Sequence, residues 1–291
     1  MKYIKVQNSA GLVTNAVNEN YPDWNSSKED YQVDDYVIYA ARIYRCRKAN
    51  EVNRKPSENP LYWSDLGAVN AMKVIDKYVN TQTVSNGVDD LWFELSGNKI
   101  NAVFIENVEA GSVKIDMYDG VNNLLGTKTV DLMTDNINNW IDYFWGDAFT
   151  KISGAFIPLG LDATKVRVTL LGGAITKIGI LVAGTLTSIG CTHHGMTLEF
   201  NDYSKKTINE DGFVYLKEGK YSFTENIDVR IDNDDLQRVR DELVALRGSA
   251  AVFIPIEDLS VTPIYGFLAD MATSLDYLES SNYTLTIQGI T

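Results

Sequence analysis

Cysteine and histidine are scarce in this chain, with two of each among 291 residues. Cys46 and Cys191 are too few to suggest a disulfide framework, and we expect both to be free, buried thiols. His193 and His194 are adjacent, so on a strand their side chains would point to opposite faces. A partial metal site of Cys191, His193 and His194 would need a turn at the histidines, and we expect neither a metal nor a cofactor.

The motifs of common enzyme mechanisms are also missing. The chain contains no G-x-S-x-G nucleophile elbow, no phosphate-binding P-loop and no H-E-x-x-H zinc motif. We therefore expect a protein that is not an enzyme. A glycoside hydrolase stays open as a minor alternative, because it needs only two carboxylates across one cleft, and sequence does not give their separation.

Positive charge is in short supply, with 26 Lys and Arg against 39 Asp and Glu, a net charge of −13 and a pI near 4.6. This balance argues against nucleic acid as a partner, which calls for clustered basic residues. No apolar run approaches the roughly 20 residues of a membrane span, and the opening MKYIKVQNSAGL lacks the features of a secretory signal. We expect a soluble product made in the cytoplasm, without membrane insertion.

Alternation of apolar and polar residues over short runs is abundant, and it is typical of half-buried strands. The clearest runs are 91–97, 102–108, 112–120, 166–173 and 177–184, each closed by or near Gly, Asn or Asp. Strands at this spacing predict a central antiparallel β-sandwich, similar to a jelly roll, over residues 71–207.

The C-terminal segment, residues 208–291, contains a helical pattern. Asn233 and Asp234 are candidate N-cap residues, and Arg247-Gly248 is a candidate end. Between them an apolar stripe repeats at three- and four-residue steps: Leu236, Val239, Leu243 and Leu246. With predicted strands at 222–231, 250–256, 264–269 and 283–290, this indicates a small α+β domain with one helix on a sheet. The fold class is mainly β.

Residues 23–67 have an order of aromatics and turns that few small folds use. Trp24 leads, "DYVIY" and "RIYRC" follow as strands, and Pro60 and Tyr62-Trp63 precede Leu66-Gly67. This order resembles the type 5/12 carbohydrate-binding modules of chitinases and cellulases. The resemblance implies a small β-module within residues 1–70. Where sugar-binding members carry adjacent exposed aromatics, this chain has residues 47–50, "RKAN".

Two interpretations of the aromatics follow. Trp24, Tyr36, Tyr44 and Trp63 are core residues or a sugar platform, and alternating strand aromatics are mostly buried. A second aromatic patch lies in "NINNWIDYFWGDAF", residues 136–149, with Trp140, Tyr143 and Trp145. It is either a platform for a sugar or partner, or a connection covering the open end of the sandwich.

The chain as a whole resembles virion proteins of tailed bacteriophages. The similarity is in "YWSDLGAVNAMKVIDKYVNTQT" at 62–83, "LVAGTLTSIGCTHHGMTLEFNDYSKKT" at 181–207 and the stretch at 263–290. It implies a non-enzymatic structural component of the tail, baseplate, collar or fibre attachment, located in the virion. Such a component would form a homo-oligomer and dock other tail proteins.

The alternative function is recognition of a host-surface glycan. Its candidate ligand-binding residues are Trp24, Tyr44, Trp63, Trp140, Tyr143 and Trp145. The two functions differ in whether these aromatics are exposed to solvent in a row.

Overall fold

A computed structural model describes residues 1–6, 11–28, 30–49, 54–135, 140, 149–193, 195–210, 212–257, 259, 262–274 and 279–290. In chain order the strands are β1 (Lys2–Lys5), β2 (Val13–Thr14), β3 (Tyr36–Tyr39), β4 (Arg42–Cys46), β5 (Trp63–Ala68), β6 (Thr83–Val84), β7 (Leu91–Glu109), β8 (Ser112–Tyr118), β9 (Leu124–Asp131), β10 (Met133–Asp135), β11 (Phe149–Lys151), β12 (Gly154–Leu171), β13 (Lys177–Gly184), β14 (Leu186–Ser188), β15 (Cys191–Thr192), β16 (Thr197–Asp202), β17 (Lys205–Ile208), β18 (Val214–Lys217), β19 (Tyr221–Asp232), β20 (Ala251–Ile254), β21 (Ile264–Ser274) and β22 (Ser280–Gly289). The helix α1 is Leu236–Ala245, and 3-10 turns cover Pro56–Glu58, Asn70–Ile75 and Asn233–Asp235.

The central sheet has the strand order β6-β13-β7-β12-β8-β9, with β2 also paired to β7. The predicted strands at 91–97 and 102–108 form one continuous strand, β7, which pairs along most of its length with β12. Register shifts in β12 between Pro158 and Lys165 separate the two halves of this ladder. In one half β12 also pairs with β8, and in the other half β7 also pairs with β13. Both halves enclose one hydrophobic cluster. This arrangement is the sandwich that the alternating pattern predicts.

Residues of β7 alternate between two cores. Val103 and Ile105 face the inside of the central sandwich, whereas Ala102 and Phe104 belong to a second cluster. That second cluster joins the central sheet to another sheet of order β14-β1-β20-β21-β22-β19-β15, in which β16 also pairs with β19. We call this second sheet the terminal sheet. Because side chains alternate along β7 and both of its faces are buried, the central sheet lies between two hydrophobic clusters in a layered arrangement.

The terminal sheet carries α1 on its other face. Val239, Leu243 and Leu246 of the predicted stripe are buried against strand residues, and Leu236 is partly buried. The predicted cap at Asn233-Asp234 is wrong, because these residues form a 3-10 turn and the N-cap is Asp235, without a side-chain capping bond. No helix in the described part of the chain has the length and apolar character that a membrane crossing requires.

The fold class is confirmed as mainly β, with antiparallel sheets and a short helix near the C-terminus. Strand β1 pairs with both β20 and β14, so N- and C-terminal residues share the terminal sheet. The division into 1–70, 71–207 and 208–291 stays a prediction.

The small sheet, β3-β4-β5, contains the module-like residues. Its core consists of Tyr31, Val37, Tyr44, Cys46 and Trp63. Cys46 is therefore a free, buried thiol as expected. For Cys191 that expectation is wrong, because β15 is a two-residue strand at the end of the terminal sheet and leaves the thiol exposed.

Candidate functional site

The sequence-predicted aromatics of the small sheet are mostly part of its core. Tyr44 and Trp63 are buried. The Trp63 indole donates a hydrogen bond to the Arg54 carbonyl at 3.0 Å. The Trp63 and Tyr31 rings pack edge-to-face, with their centroids 5.1 Å apart. Trp24 is half-buried and packs edge-on against Tyr39, with ring centroids 5.3 Å apart. These aromatics do not form an exposed row.

The second predicted patch is described only in part. Trp140 is 78% exposed. Tyr143 and Trp145 lie outside the described residues. Whether these three rings form one platform stays a prediction.

A different group of rings is exposed on the terminal sheet. Phe200 on β16 and Tyr221 and Phe223 on β19 contact one another, with centroid separations of 5.4, 5.7 and 5.7 Å. Phe200 and Phe223 are directly paired across the two strands. Their exposed fractions are 61% for Phe200, 55% for Tyr221 and 38% for Phe223. We call Phe200, Tyr221 and Phe223 the aromatic surface.

A cavity lined by two glutamates lies beside the aromatic surface. Phe223 lines a cavity of about 190 Å³ together with Glu106 of β7 and Glu225 of β19. We call it the carboxyl cavity. An adjoining groove of about 340 Å³ shares Glu106 and Phe223 with it and is also lined by Tyr221 and Lys220. The aromatic surface, groove and cavity therefore meet at Phe223.

Burial favours the protonated form of both carboxyl groups of the cavity. It raises the pKa of Glu106 to about 7 and that of Glu225 to about 8. The Tyr265 hydroxyl lines the groove, and burial, followed by the charges of Asp76 and Glu106, raises its pKa to about 12. The Oε2 atoms of Glu106 and Glu225 are buried without a hydrogen-bond partner among the described residues.

A protruding hairpin connects β16 to β19. All eight residues of β17 and β18 are exposed, which leaves both faces of this ribbon uncovered by the described residues. Ile208, Phe213, Val214, Tyr215 and Leu216 are between 51% and 75% exposed. A contiguous exposed apolar group of this kind is typical of an interaction surface.

The described residues contain no group of three or more His, Cys, Asp or Glu side chains arranged for a metal ion. Cys191 is exposed, and the His193 Nε2 atom lies 3.3 Å from the Asn282 Oδ1 atom. His194 lies outside the described residues.

No family model and no curated protein matches this chain. Among solved structures, a fucose-binding module of Streptococcus pneumoniae has a TM-score of 0.28 at 16% identity and covers 38% of this chain and 79% of that chain. The lectin domain of lectinolysin, in complex with Lewis b antigen, has a TM-score of 0.27 at 16% identity, with 40% and 83% covered. A Clostridium perfringens module in complex with GlcNAc-α-1,4-galactose has the same TM-score and identity, with 40% and 81% covered.

The chain is thus weakly similar in structure to carbohydrate-binding modules over about two fifths of its length. TM-scores of this size do not establish a shared fold or ligand. The resemblance to virion tail proteins stays a prediction.

Sequence reasoning missed the aromatic surface. Residues 222–231 are predicted as a strand, but "TLEFND" at 197–202 receives no strand prediction. The sequence alone therefore does not identify Phe200 as the residue paired with Phe223. The usable signal is alternation: Leu198 and Phe200 on one strand, and Tyr221 and Phe223 on the other, point to the same face.

Proposed function

We propose that this protein is a non-catalytic glycan-recognition protein whose sugar-binding platform is the aromatic surface. The observation that carries the proposal is the mutual contact of three exposed rings on two paired strands. The apolar face of a sugar ring packs on aromatic rings as other apolar groups do. Rings fixed on strands also lose little conformational freedom when a ligand binds.

The polar groove beside the rings suits the hydroxyl groups of a sugar. Its lining includes the charged residues Glu218 and Lys220 beside Tyr221. Ligand sites commonly pair apolar walls with a few polar groups that fix orientation. Glycan recognition therefore fits the groove as well as the aromatic surface.

The proposed role is recognition without catalysis, and the carboxyl cavity is where catalysis would have to occur. A glycosidase requires one carboxyl group as acid and another, ionised, as nucleophile or base. The pKa values of about 8 for Glu225 and about 7 for Glu106 leave Glu225 mostly protonated and Glu106 about half ionised near pH 7, so an assay for hydrolysis decides between the two roles. Hydrolysis of a bound glycan would contradict this part of the proposal.

Removing single rings of the aromatic surface tests the platform. We expect Phe200→Ala and Tyr221→Ala each to weaken binding of a glycan selected on an array by roughly threefold to tenfold, which corresponds to about 0.7–1.4 kcal/mol. Both side chains are more than half exposed, so the fold is expected to persist. Isothermal titration calorimetry measures the change.

Trp140→Ala is the matched variant, because this ring is exposed but lies in the other aromatic patch. We expect its affinity to equal that of the wild type. Loss of binding in Trp140→Ala, with Phe200→Ala and Tyr221→Ala unaffected, would place the platform at the sequence-predicted patch and overturn the proposal.

The hairpin favours self-association, which a second candidate function, that of a structural subunit of a tailed-phage virion, would require. We propose that in this role copies of the chain associate through β17 and β18 and dock other tail proteins. The support is the exposed apolar group of Ile208, Val214 and Leu216, which strand alternation and pairing place on one face of the hairpin. Uncovered apolar strands in a soluble protein favour association.

Charged substitutions on the hairpin test this candidate. We expect Ile208→Lys combined with Leu216→Lys to weaken self-association by at least about tenfold, because two exposed apolar contacts are replaced by charges. Sedimentation velocity across a concentration series measures it. Leu61→Lys, at another exposed leucine, is the control. A wild-type protein that stays monomeric at the highest concentration would eliminate this candidate.

A further inference from the structure

The lining of the carboxyl cavity combines acids with aromatic rings. The carboxyl groups come from Glu106 and Glu225, and the rings from Phe104, Phe156 and Phe223. Among the residues that the structure describes, the lining includes no Lys, Arg or His. The cavity is therefore suited to a positively charged group and unsuited to an anion.

The two glutamates of the cavity each have a carboxyl oxygen without a hydrogen-bond partner among the described residues. Glu225 is only 1% exposed, and its buried Oε2 atom has no hydrogen-bond partner among the described residues. The Oε2 atom of Glu106 is also buried without a hydrogen-bond partner among these residues. Buried carboxyl oxygens are normally satisfied, and both glutamates line the same cavity, so a ligand with a hydrogen-bond donor would relieve this deficit.

The chemistry of the lining selects an organic cation over a metal ion. Calcium takes six to eight oxygen ligands, whereas the described part of the lining supplies two carboxyl side chains, those of Glu106 and Glu225. An ammonium group offers three N–H donors to carboxylate oxygens, and aromatic faces attract it through their quadrupoles. The carbon atoms attached to an amine would pack on the phenylalanine rings.

We propose that the carboxyl cavity binds the ammonium group of a ligand, and specifically the free amino group of an unacetylated amino sugar held on the aromatic surface. The glycan part of this inference rests on the proposed function, since Phe223 belongs to both sites. On binding, the ammonium group forms ion pairs with the carboxylates, and the protons that the carboxyl groups held pass to the buffer.

Calorimetry of the full chain at pH 7 with a glucosamine tetramer and its fully N-acetylated counterpart tests the inference. The titrations are repeated in two buffers of different ionisation enthalpy, which reports proton release. We expect the glucosamine tetramer to bind at least tenfold more tightly and to release protons. Glu225→Gln, at a residue that lines the carboxyl cavity but not the groove, should reduce both effects while binding of the acetylated tetramer persists.

The outcomes separate this inference from the proposed function. Equal binding of the two tetramers without proton release would overturn the amino-group inference and leave glycan recognition standing. Butylamine serves as a sugar-free ammonium probe. If butylamine binds the wild type but not Glu225→Gln, while no glycan binds on an array, the cavity is an ammonium site and the glycan proposal fails. If butylamine and both tetramers all fail to bind, the ammonium inference is overturned.

Discussion

Replacing Trp63 by alanine is expected to lower the free energy of unfolding by about 3–5 kcal/mol, the usual cost of deleting a buried large aromatic side chain. Trp63 is 2% exposed and packs against the Tyr31 ring. Its removal leaves a cavity in the smallest core of the molecule and deprives the Arg54 carbonyl of its donor. Chemical denaturation followed by far-UV circular dichroism measures the loss.

Leu61→Ala is the control in the same part of the chain, since Leu61 is 82% exposed. We expect it to change stability by less than about 0.5 kcal/mol. If Trp63→Ala were equally mild, the ring would not be a core residue, and the module would have to be reconsidered as a ligand platform.

The pH dependence of stability is expected to be large and to depend on Glu225. The folded protein holds a proton on Glu225 up to a pKa of about 8, whereas an unfolded glutamate loses it near 4.5. Between these values the folded state binds more protons, so the free energy of unfolding falls as the pH rises. Since one pKa unit corresponds to about 1.4 kcal/mol, we expect a loss of roughly 4 kcal/mol between pH 5 and pH 9.

Glu106 adds to this loss with the same sign, over the range from pH 4.5 to about 7. Glu225→Gln keeps the shape of the protonated acid and cannot ionise. We therefore expect it to match the wild type at pH 5 and to exceed its stability at pH 9. Glu218→Gln, at an exposed position on the groove, should follow the wild-type curve. A flat wild-type curve from pH 5 to 9 would show that Glu225 ionises without cost.

Much of the fold follows from local patterns in the sequence. The alternation at 112–120 and 177–184 predicts β8 and β13, and the stripe of Val239, Leu243 and Leu246 predicts the buried face of α1. These elements depend on residues close together in the chain. The pairing of β1 with β20 joins residues about 250 positions apart, and no local pattern encodes it.

The site was harder to predict than the fold, because alternation assigns residues to a face but not to solvent or core. Trp63 and Phe200 are both aromatic residues in strands, yet one is buried and the other exposed. The difference depends on what covers each sheet. The same applies to Glu106 and Glu225, which come from different sheets and meet only where those sheets pack.

The aromatic surface and the hairpin are neighbours in the chain, which links the two candidate functions. The hairpin leaves β16 after Asp202 and returns to β19 at Tyr221. The Tyr203 N–H donates to the Lys220 carbonyl at 3.0 Å and closes its base. Association through the hairpin would therefore bring a second copy close to the aromatic surface, and the two proposed activities are expected to influence each other.

Chemical-shift mapping of the isotope-labelled protein with a glycan selected on an array tests the central claim most directly. We predict that the largest shifts fall on Phe200, Tyr221 and Phe223 and on the residues lining the adjoining groove. Shifts concentrated at Trp24 or Trp140, or no shift with any glycan, would contradict the assignment of the aromatic surface as a sugar platform.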